Sequence, residues 1–243
     1  MMHVIVWYPD IATSGSIAHT LLEAGIDFLE VQIPFSDPMA DGPTFMHANS
    51  VAVKNKTTVQ DCFDFMRRLR TKTNIPLLLM GYYNSIFRKG VREFCKQAKL
   101  SGCSGIIFPD YPLDHEHHEW LIDVCQEFGL DFIPVLNPDA AKKKKKKVAQ
   151  LHPSLLYYGM RKGITGAKET LDENLEKNIQ YVKGFLSCPI SVGWGISTPE
   201  HIRNLPREAD IAIIGSKTTD IYNTNKKIED VENYTKSIIK ASK

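Results

Sequence analysis

Short apolar runs punctuate this chain from end to end, at Val4–Trp7, Phe28–Ile33, Pro76–Met80, Gly105–Phe108, Asp131–Leu136, Ser154–Tyr158, Ile190–Val192 and Ile211–Ile214. Between successive runs lie longer segments whose apolar residues recur with the period of an amphipathic helix. Strands separated by helices cannot pair as hairpins. Each must return through a crossover, so the sheet they form is parallel. Pro76-Leu77-Leu78-Leu79-Met80 is apolar on both faces, as a parallel strand covered on both sides should be. Eight strand-and-helix units in 243 residues match a closed (β/α)8 barrel, read as a single domain over residues 1–243. The competing open, doubly wound sheet calls for a glycine-rich nucleotide turn after the first strand, and Tyr8-Pro9-Asp10-Ile11 stands there instead.

Helix boundaries are partly marked. Ser14 is expected to cap the segment running to Glu23, with Gly25 just past its end. Asp114 is expected to open a helix through Gln126. Ser197-Thr198-Pro199-Glu200 combines the spacing of a capping box with a proline suited to a first helical turn. A closing helix should run from Asp230 to Lys240.

Composition excludes several function classes. Thirty Lys and Arg stand against 28 Asp and Glu, a net charge of +2, and six of those cations form the single run Lys142–Lys147. Without that run the balance is 24 against 28, so the chain has no general character of a polyanion binder. The run itself reads as a solvated helix face, because no aromatic residue interleaves with it. The five cysteines form no C-x-x-C pair, and a reducing, cytoplasmic compartment is expected. No apolar stretch reaches the roughly 18 residues of a membrane span, and the start lacks the charged region of a signal peptide. His115-Glu116-His117-His118-Glu119 misses the H-E-x-x-H zinc spacing by placing Glu at the last position, so no metal site is expected.

The second run carries the chemistry. Alternation along Phe28-Leu29-Glu30-Val31-Gln32-Ile33 puts Leu29, Val31 and Ile33 on the helix-facing side and points Glu30 into the barrel. Burial of a carboxylate there would raise its proton affinity into a range useful for proton transfer; an inward Glu held by an ion pair is an equally good reading of alternation alone. The next segment, Pro34-Phe35-Ser36-Asp37-Pro38-Met39-Ala40-Asp41-Gly42-Pro43, is stiffened by prolines and carries further carboxylates above the barrel mouth.

From Glu30 through Ile33-Pro34-Phe35-Ser36-Asp37-Pro38-Met39-Ala40-Asp41-Gly42-Pro43-Thr44, the chain closely resembles the signature of tryptophan synthase alpha subunits. Met80-Gly81-Tyr82-Tyr83-Asn84, Pro109-Asp110-Tyr111-Pro112 and Arg161-Lys162-Gly163-Ile164-Thr165-Gly166 resemble the family's segments after strands three, four and six. Gly193-Trp194-Gly195-Ile196-Ser197-Thr198-Pro199-Glu200 and Gly215-Ser216 resemble its phosphate-binding turns. The resemblance implies a (β/α)8 barrel that cleaves indole-3-glycerol phosphate into indole and glyceraldehyde 3-phosphate. It assigns acid–base work to Glu30 and a hydrogen bond to the indole N1–H to Asp41. Tyr82, Tyr157, Thr165, Gly166, Trp194, Gly195, Gly215 and Ser216 are the substrate-binding residues it implies. It further implies no cofactor in this chain, and a beta-subunit partner that carries pyridoxal phosphate in an alpha2beta2 heterotetramer.

Three departures stand out. The chain starts almost directly on its first strand, so most of the family's extra N-terminal helix is expected to be missing. Gln32 replaces a frequent glycine on the same inward face as Glu30, where it is expected to narrow the pocket. Met160 replaces a small polar residue before the strand-six loop. A phosphoribosyl isomerase would explain the barrel and phosphate turns but not the Glu30–Asp41 segment. The alternative within the family is a catalytically weak subunit that mainly binds and activates its partner.

Overall fold

Four-residue strands with every side chain buried form the centre of the molecule, which a computed structural model describes for residues 1–113, 119–159, 174–193 and 195–243. One parallel sheet runs β1 (Met2–Ile5), β2 (Leu29–Gln32), β3 (Leu77–Met80), β4 (Gly105–Ile107) and β5 (Asp131–Phe132). A second continues with β6 (Val135–Leu136), β7 (Leu156–Gly159), β8 (Ile190–Gly193) and β9 (Ile211–Ala212). β5 and β6 are two halves of one apolar run. Pro134 lies at the break and has no N–H to give, so the ladder changes sides there. Ile133 N–H still donates to Ile106 O at 2.9 Å, while Pro134 O accepts from Tyr157 N–H at 3.0 Å. At the other seam Met2 bridges Ile214 in parallel, and Ile214 N–H donates to Met1 O at 3.0 Å. The two sheets thereby make the eight staves of a (β/α)8 barrel.

The helices are α1 (Ile11–Ala24), α2 (Pro43–Lys54), α3 (Val59–Arg70), α4 (Tyr83–Lys89), α5 (Val91–Leu100), α6 (Glu119–Glu127), α7 (Lys142–Gln150), α8 (Leu175–Lys183), α9 (Pro199–Arg203), α10 (Ser216–Asn225) and α11 (Ile228–Ala241). Period-2 alternation sorts the strand residues into two layers. Leu29, Val31, Ile33, Leu77, Leu79 and Ile106 join helix residues such as Ile17, Phe63 and Phe94 in the outer core. Leu78, Met80, Ile107, Val135, Tyr157 and Ile213 fill the barrel itself. Each fully buried aliphatic side chain contributes about 1.5–3 kcal/mol, and truncating the fully buried Leu79 to Ala would cost about 2–5 kcal/mol.

Several boundaries differ from the sequence pattern. The first strand ends at Ile5, two residues short of the apolar run, because Trp7 turns into the left-handed region at φ 66°. Asp10, not Ser14, caps α1, its carboxylate accepting from Thr13 N–H at 2.8 Å. Ser14 lies inside the helix, buried, and accepts from Trp7 N–H at 3.2 Å. Thr198 rather than Ser197 caps α9, with Pro199 in the first turn. Gly25 ends α1 at φ 91°, as expected of a left-handed cap. Asp114 and His115–His118 lie outside the described residues. All five cysteines are buried and free. Among the described residues no helix is long and apolar enough to cross a membrane.

Candidate active site

Strand alternation delivers Glu30 where the pattern predicts, inside the barrel at 1% exposure. Parallel register sets His3 of β1 directly beside it. His3 Nδ1 lies 3.1 Å from Glu30 Oε2, close enough for an ion pair. That oxygen is buried and has no hydrogen-bond partner besides His3 among the described residues, so lone-pair capacity remains on it. His3 Nε2 stands 2.7 Å from Gln32 Oε1 on the next inward position of β2. Gln32 Nε2 then donates to Asp41 Oδ2 at 2.7 Å, and Asn49 Nδ2 donates to the same oxygen at 3.1 Å. One hydrogen-bonded line therefore runs Glu30–His3–Gln32–Asp41–Asn49.

Asp41 is fixed by more than this line. The loop bearing it folds on itself through Asp41 N–H to Pro38 O at 2.9 Å, and Gly42 with Pro43 turns it into α2. Asn49, from the second turn of α2, also accepts from Phe35 N–H at 3.0 Å. Tyr82, at the head of α4, accepts from Ala40 N–H at 3.1 Å and donates to the Asp41 carboxylate. Its ring stacks on Phe35 with centroids 5.2 Å apart. Rigid proline-rich backbone and three polar anchors hold the carboxylate in place, so little reorganisation remains for the reaction.

Burial is the largest influence on Asp41 and raises its pKa above the ordinary carboxylate value, against the hydrogen bond from Gln32 and the charge of His3. For His3 burial alone would lower the pKa. The Coulomb attraction and hydrogen bond of Glu30, with smaller help from Asp41 and Gln32, outweigh it and leave the imidazole above its usual value. Tyr82 is pushed upward by burial and by the neighbouring Asp41 charge.

At the far side of the cavity the chain presents backbone rather than charge. α10 begins at Ser216 with no side chain capping it, and Gly215 and Ser216 both line the cavity, so a helix start lies at this end. Gly195 has φ 132°, a conformation that essentially only glycine takes up. At Gly215 a Cβ would meet the Phe45 ring at 3.3 Å. Ile196 and Ile213 line the same end, while Met80, Ile107 and Val135 make an apolar middle.

Of the residues singled out from the sequence, Glu30, Asp41, Tyr157, Gly195, Gly215 and Ser216 meet around this one cavity. Tyr82 is not among its lining residues and stands behind the wall, supporting the loop. Thr165, Gly166, Trp194 and Met160 lie outside the described residues. His3 and Phe45 line the cavity and were not foreseen; their rings pack with centroids 4.5 Å apart. The signal available for His3 was a single polar residue in the run Met1-Met2-His3-Val4-Ile5-Val6. Gln32, expected to narrow the pocket, is wholly buried in the hydrogen-bonded line instead.

Comparison with known proteins gives the family and the fold. The family model described as tryptophan synthase alpha chain matches residues 1–242. The tryptophan synthase alpha chain of Aquifex aeolicus is 37% identical over 238 residues, covering 97% of this chain and 90% of that protein. That of Dehalococcoides mccartyi is 35% identical over 237 residues, covering 97% and 92%. Among solved structures, the tryptophan synthase subunit alpha of Legionella pneumophila superposes with a TM-score of 0.88 at 28% identity, covering 99% of this chain and 91% of that one. A mutant alpha-subunit from Pyrococcus furiosus gives 0.89 at 26% identity, with 98% and 96% covered. A cavity with two buried carboxylates at one end and an uncapped helix start at the other, on a barrel matched over its whole length, has one consistent assignment: the chain belongs to the tryptophan synthase alpha chain family.

Proposed function

We propose that this chain is a lyase that cleaves indole-3-glycerol phosphate into indole and glyceraldehyde 3-phosphate. The observation that carries the reading is the pairing of Glu30 and Asp41, both buried, across an apolar cavity from the uncapped start of α10. The phosphate would rest on N–H groups near Gly195, Gly215 and Ser216, where the helix dipole favours negative charge. The indole ring would occupy the apolar middle, with its N1–H toward Asp41.

An indole carbanion is a poor leaving group, so the ring must be protonated before the carbon–carbon bond breaks. In this reading Glu30 gives its proton to indole C3, and the positive charge that develops spreads to N1. Asp41 accepts the N1–H hydrogen bond and stabilises that charge. Glu30, now a carboxylate, takes the proton of the glycerol hydroxyl next to C3. The bond breaks, its electrons return to the ring, and neutral indole leaves with the aldehyde. Protons balance, and Glu30 ends as it began.

The partner is proposed to be a tryptophan synthase beta subunit in an alpha2beta2 assembly. That subunit would carry pyridoxal phosphate, while this chain would need no cofactor of its own and would work in the cytoplasm. Docking of that subunit would exclude water from the cavity and raise the rate of a slow isolated chain. The deciding measurement is indole release from indole-3-glycerol phosphate, with and without the cognate beta subunit. Glu30→Gln should lose on the order of 10²–10⁴-fold. A variant keeping half the wild-type rate would move the acid–base role elsewhere.

A further inference from the structure

Gln32 breaks the glycine habit of the signature, and it does so beside His3. The two residues fit each other so closely that proton positions follow. Asp41 Oδ2 takes two N–H donors, from Gln32 and Asn49, which fixes the Gln32 amide with its NH₂ toward Asp41 and its oxygen toward His3. An amide oxygen only accepts. His3 Nε2, 2.7 Å away, must therefore carry a proton. Nδ1 then faces Glu30 Oε2 at 3.1 Å, with no other partner for either atom among the described residues. Two bare lone pairs at that distance repel, so one proton lies between them: on Nδ1 as an imidazolium beside a carboxylate, or on Glu30 beside a neutral ring.

We propose that His3 is a positioning residue for Glu30, held in the Nε2–H tautomer by Gln32, so that His3 and Glu30 share one proton through Nδ1 and Oε2. The inference rests on the assignment of acid–base work to Glu30 and adds how that group is kept ready for it. The proton that Glu30 gives to the ring is a second one, on Oε1, while the shared proton stays between Nδ1 and Oε2, so the carboxylate left behind meets an imidazolium rather than a bare lone pair. When Oε1 recovers a proton from the hydroxyl, the shared proton stays where it was. His3 does not touch the reacting atoms. It sets the charge state between which Glu30 alternates. The ionisable groups acting on the ring are Glu30 from β2 and Asp41 from the loop after it, while the Phe45 ring of α2 packs against it.

Nitrogen-resolved NMR of the histidine rings in the full chain tests this without substrate or partner. His3→Gln identifies the His3 signals among the eight histidines. The wild type should show Nε2 protonated throughout a pH titration, with Nδ1 alone changing state. In Gln32→Leu the lock is gone and the Nδ1–H tautomer should appear. Observation of Nδ1–H as the neutral form in the wild type would overturn the proposal, as would an unchanged tautomer in Gln32→Leu. The kinetic arm uses the holoenzyme with its beta subunit. His3→Gln should lower kcat by about tenfold or more with KM changed far less. A folded His3→Gln enzyme within twofold of wild-type kcat, alongside an inactive Glu30→Gln, would refute His3 while leaving the reading of Glu30 intact. An active Glu30→Gln would instead refute that underlying reading. If His3→Gln fails to fold, Gln32→Leu and the wild-type spectrum still decide.

Discussion

Asp41→Asn is the substitution whose outcome the geometry constrains most tightly. The carboxylate is surrounded by donors: Gln32 Nε2 at 2.7 Å, Asn49 Nδ2 at 3.1 Å and the Tyr82 hydroxyl. A carboxylate has about four acceptor positions and no donor, so three are used by the protein and one is left for an indole N–H. An asparagine amide cannot reproduce this. Its oxygen must take the place of Oδ2, since an NH₂ there would oppose both Gln32 and Asn49. The NH₂ is then forced toward the remaining direction, where it presents a donor to a donor. Replacing charge-assisted hydrogen bonds by neutral ones should cost about 1–3 kcal/mol of stability, leaving the fold intact. Catalysis should suffer far more. Loss of one preorganised electrostatic partner at a developing charge costs on the order of 10²–10³ in kcat, or about 2.7–4 kcal/mol. The assay is indole formation at saturating substrate with the beta subunit present, alongside urea unfolding of the isolated chain. A folded variant within threefold of the wild-type kcat would refute the acceptor role.

The other expectations are shorter. Gly215→Val should raise KM more than Lys217→Ala, because a Cβ at Gly215 meets Phe45 Cε2 at 3.3 Å and Cζ at 3.4 Å, crowding the backbone that would hold phosphate; the reverse order in steady-state kinetics would contradict it. Asp110 accepts Tyr83 N–H with both oxygens at 3.0 Å and so caps α4 from the neighbouring loop. Asp110→Ala should cost about 1 kcal/mol, seen as a fall in Tm of about 2–4 °C, and an unchanged Tm would dismiss the cap. His3 has a raised folded pKa, so it binds its proton more tightly in the native state. Its contribution to stability is complete below the unfolded value of about 6.5 and fades as pH climbs through the folded value. Wild type minus His3→Gln, measured by urea unfolding across pH, should shrink toward alkaline pH; a difference that grows would reverse the sign of the argument.

Much of this was legible in the residues, and what was not has identifiable causes. Alternation placed Glu30 inward because β2 is apolar on its other face, and period alone suffices for that. Asp10 was passed over as the cap of α1 because Ser14 offers the same capping chemistry, and the turn at Trp7 that lets the helix start earlier is not visible in the residues. The first strand was read two residues late because Val6 and Trp7 are as apolar as Met2, and a positive φ leaves no mark on hydropathy. His3 escaped for a deeper reason. Its significance depends on lying opposite Glu30 in the register of two parallel strands 27 residues apart in sequence, His3 against Glu30, and register between parallel strands is set by the whole barrel. Gln32 looked like an intrusion for the same reason: a long polar side chain is costly in a core until its partners are known.

The break at Pro134 divides the barrel's labour. Glu30, His3, Gln32, Asp41 and Tyr82 all belong to the half built on β1–β5, whereas Tyr157, Gly195, Gly215 and Ser216 belong to the half built on β6–β9. The halves meet along two thin joints, the proline break and the bridge from Met2 to Ile214. A substrate gripping carboxylates on one half and helix N–H groups on the other acts as a cross-brace over both joints. Its binding free energy is then also a clamping energy: at a hundred times its Kd a ligand adds about 2.7 kcal/mol to native stability. The Ile214 amide, which donates to Met1 O across the thin joint, is where that bracing should register as slowed hydrogen exchange.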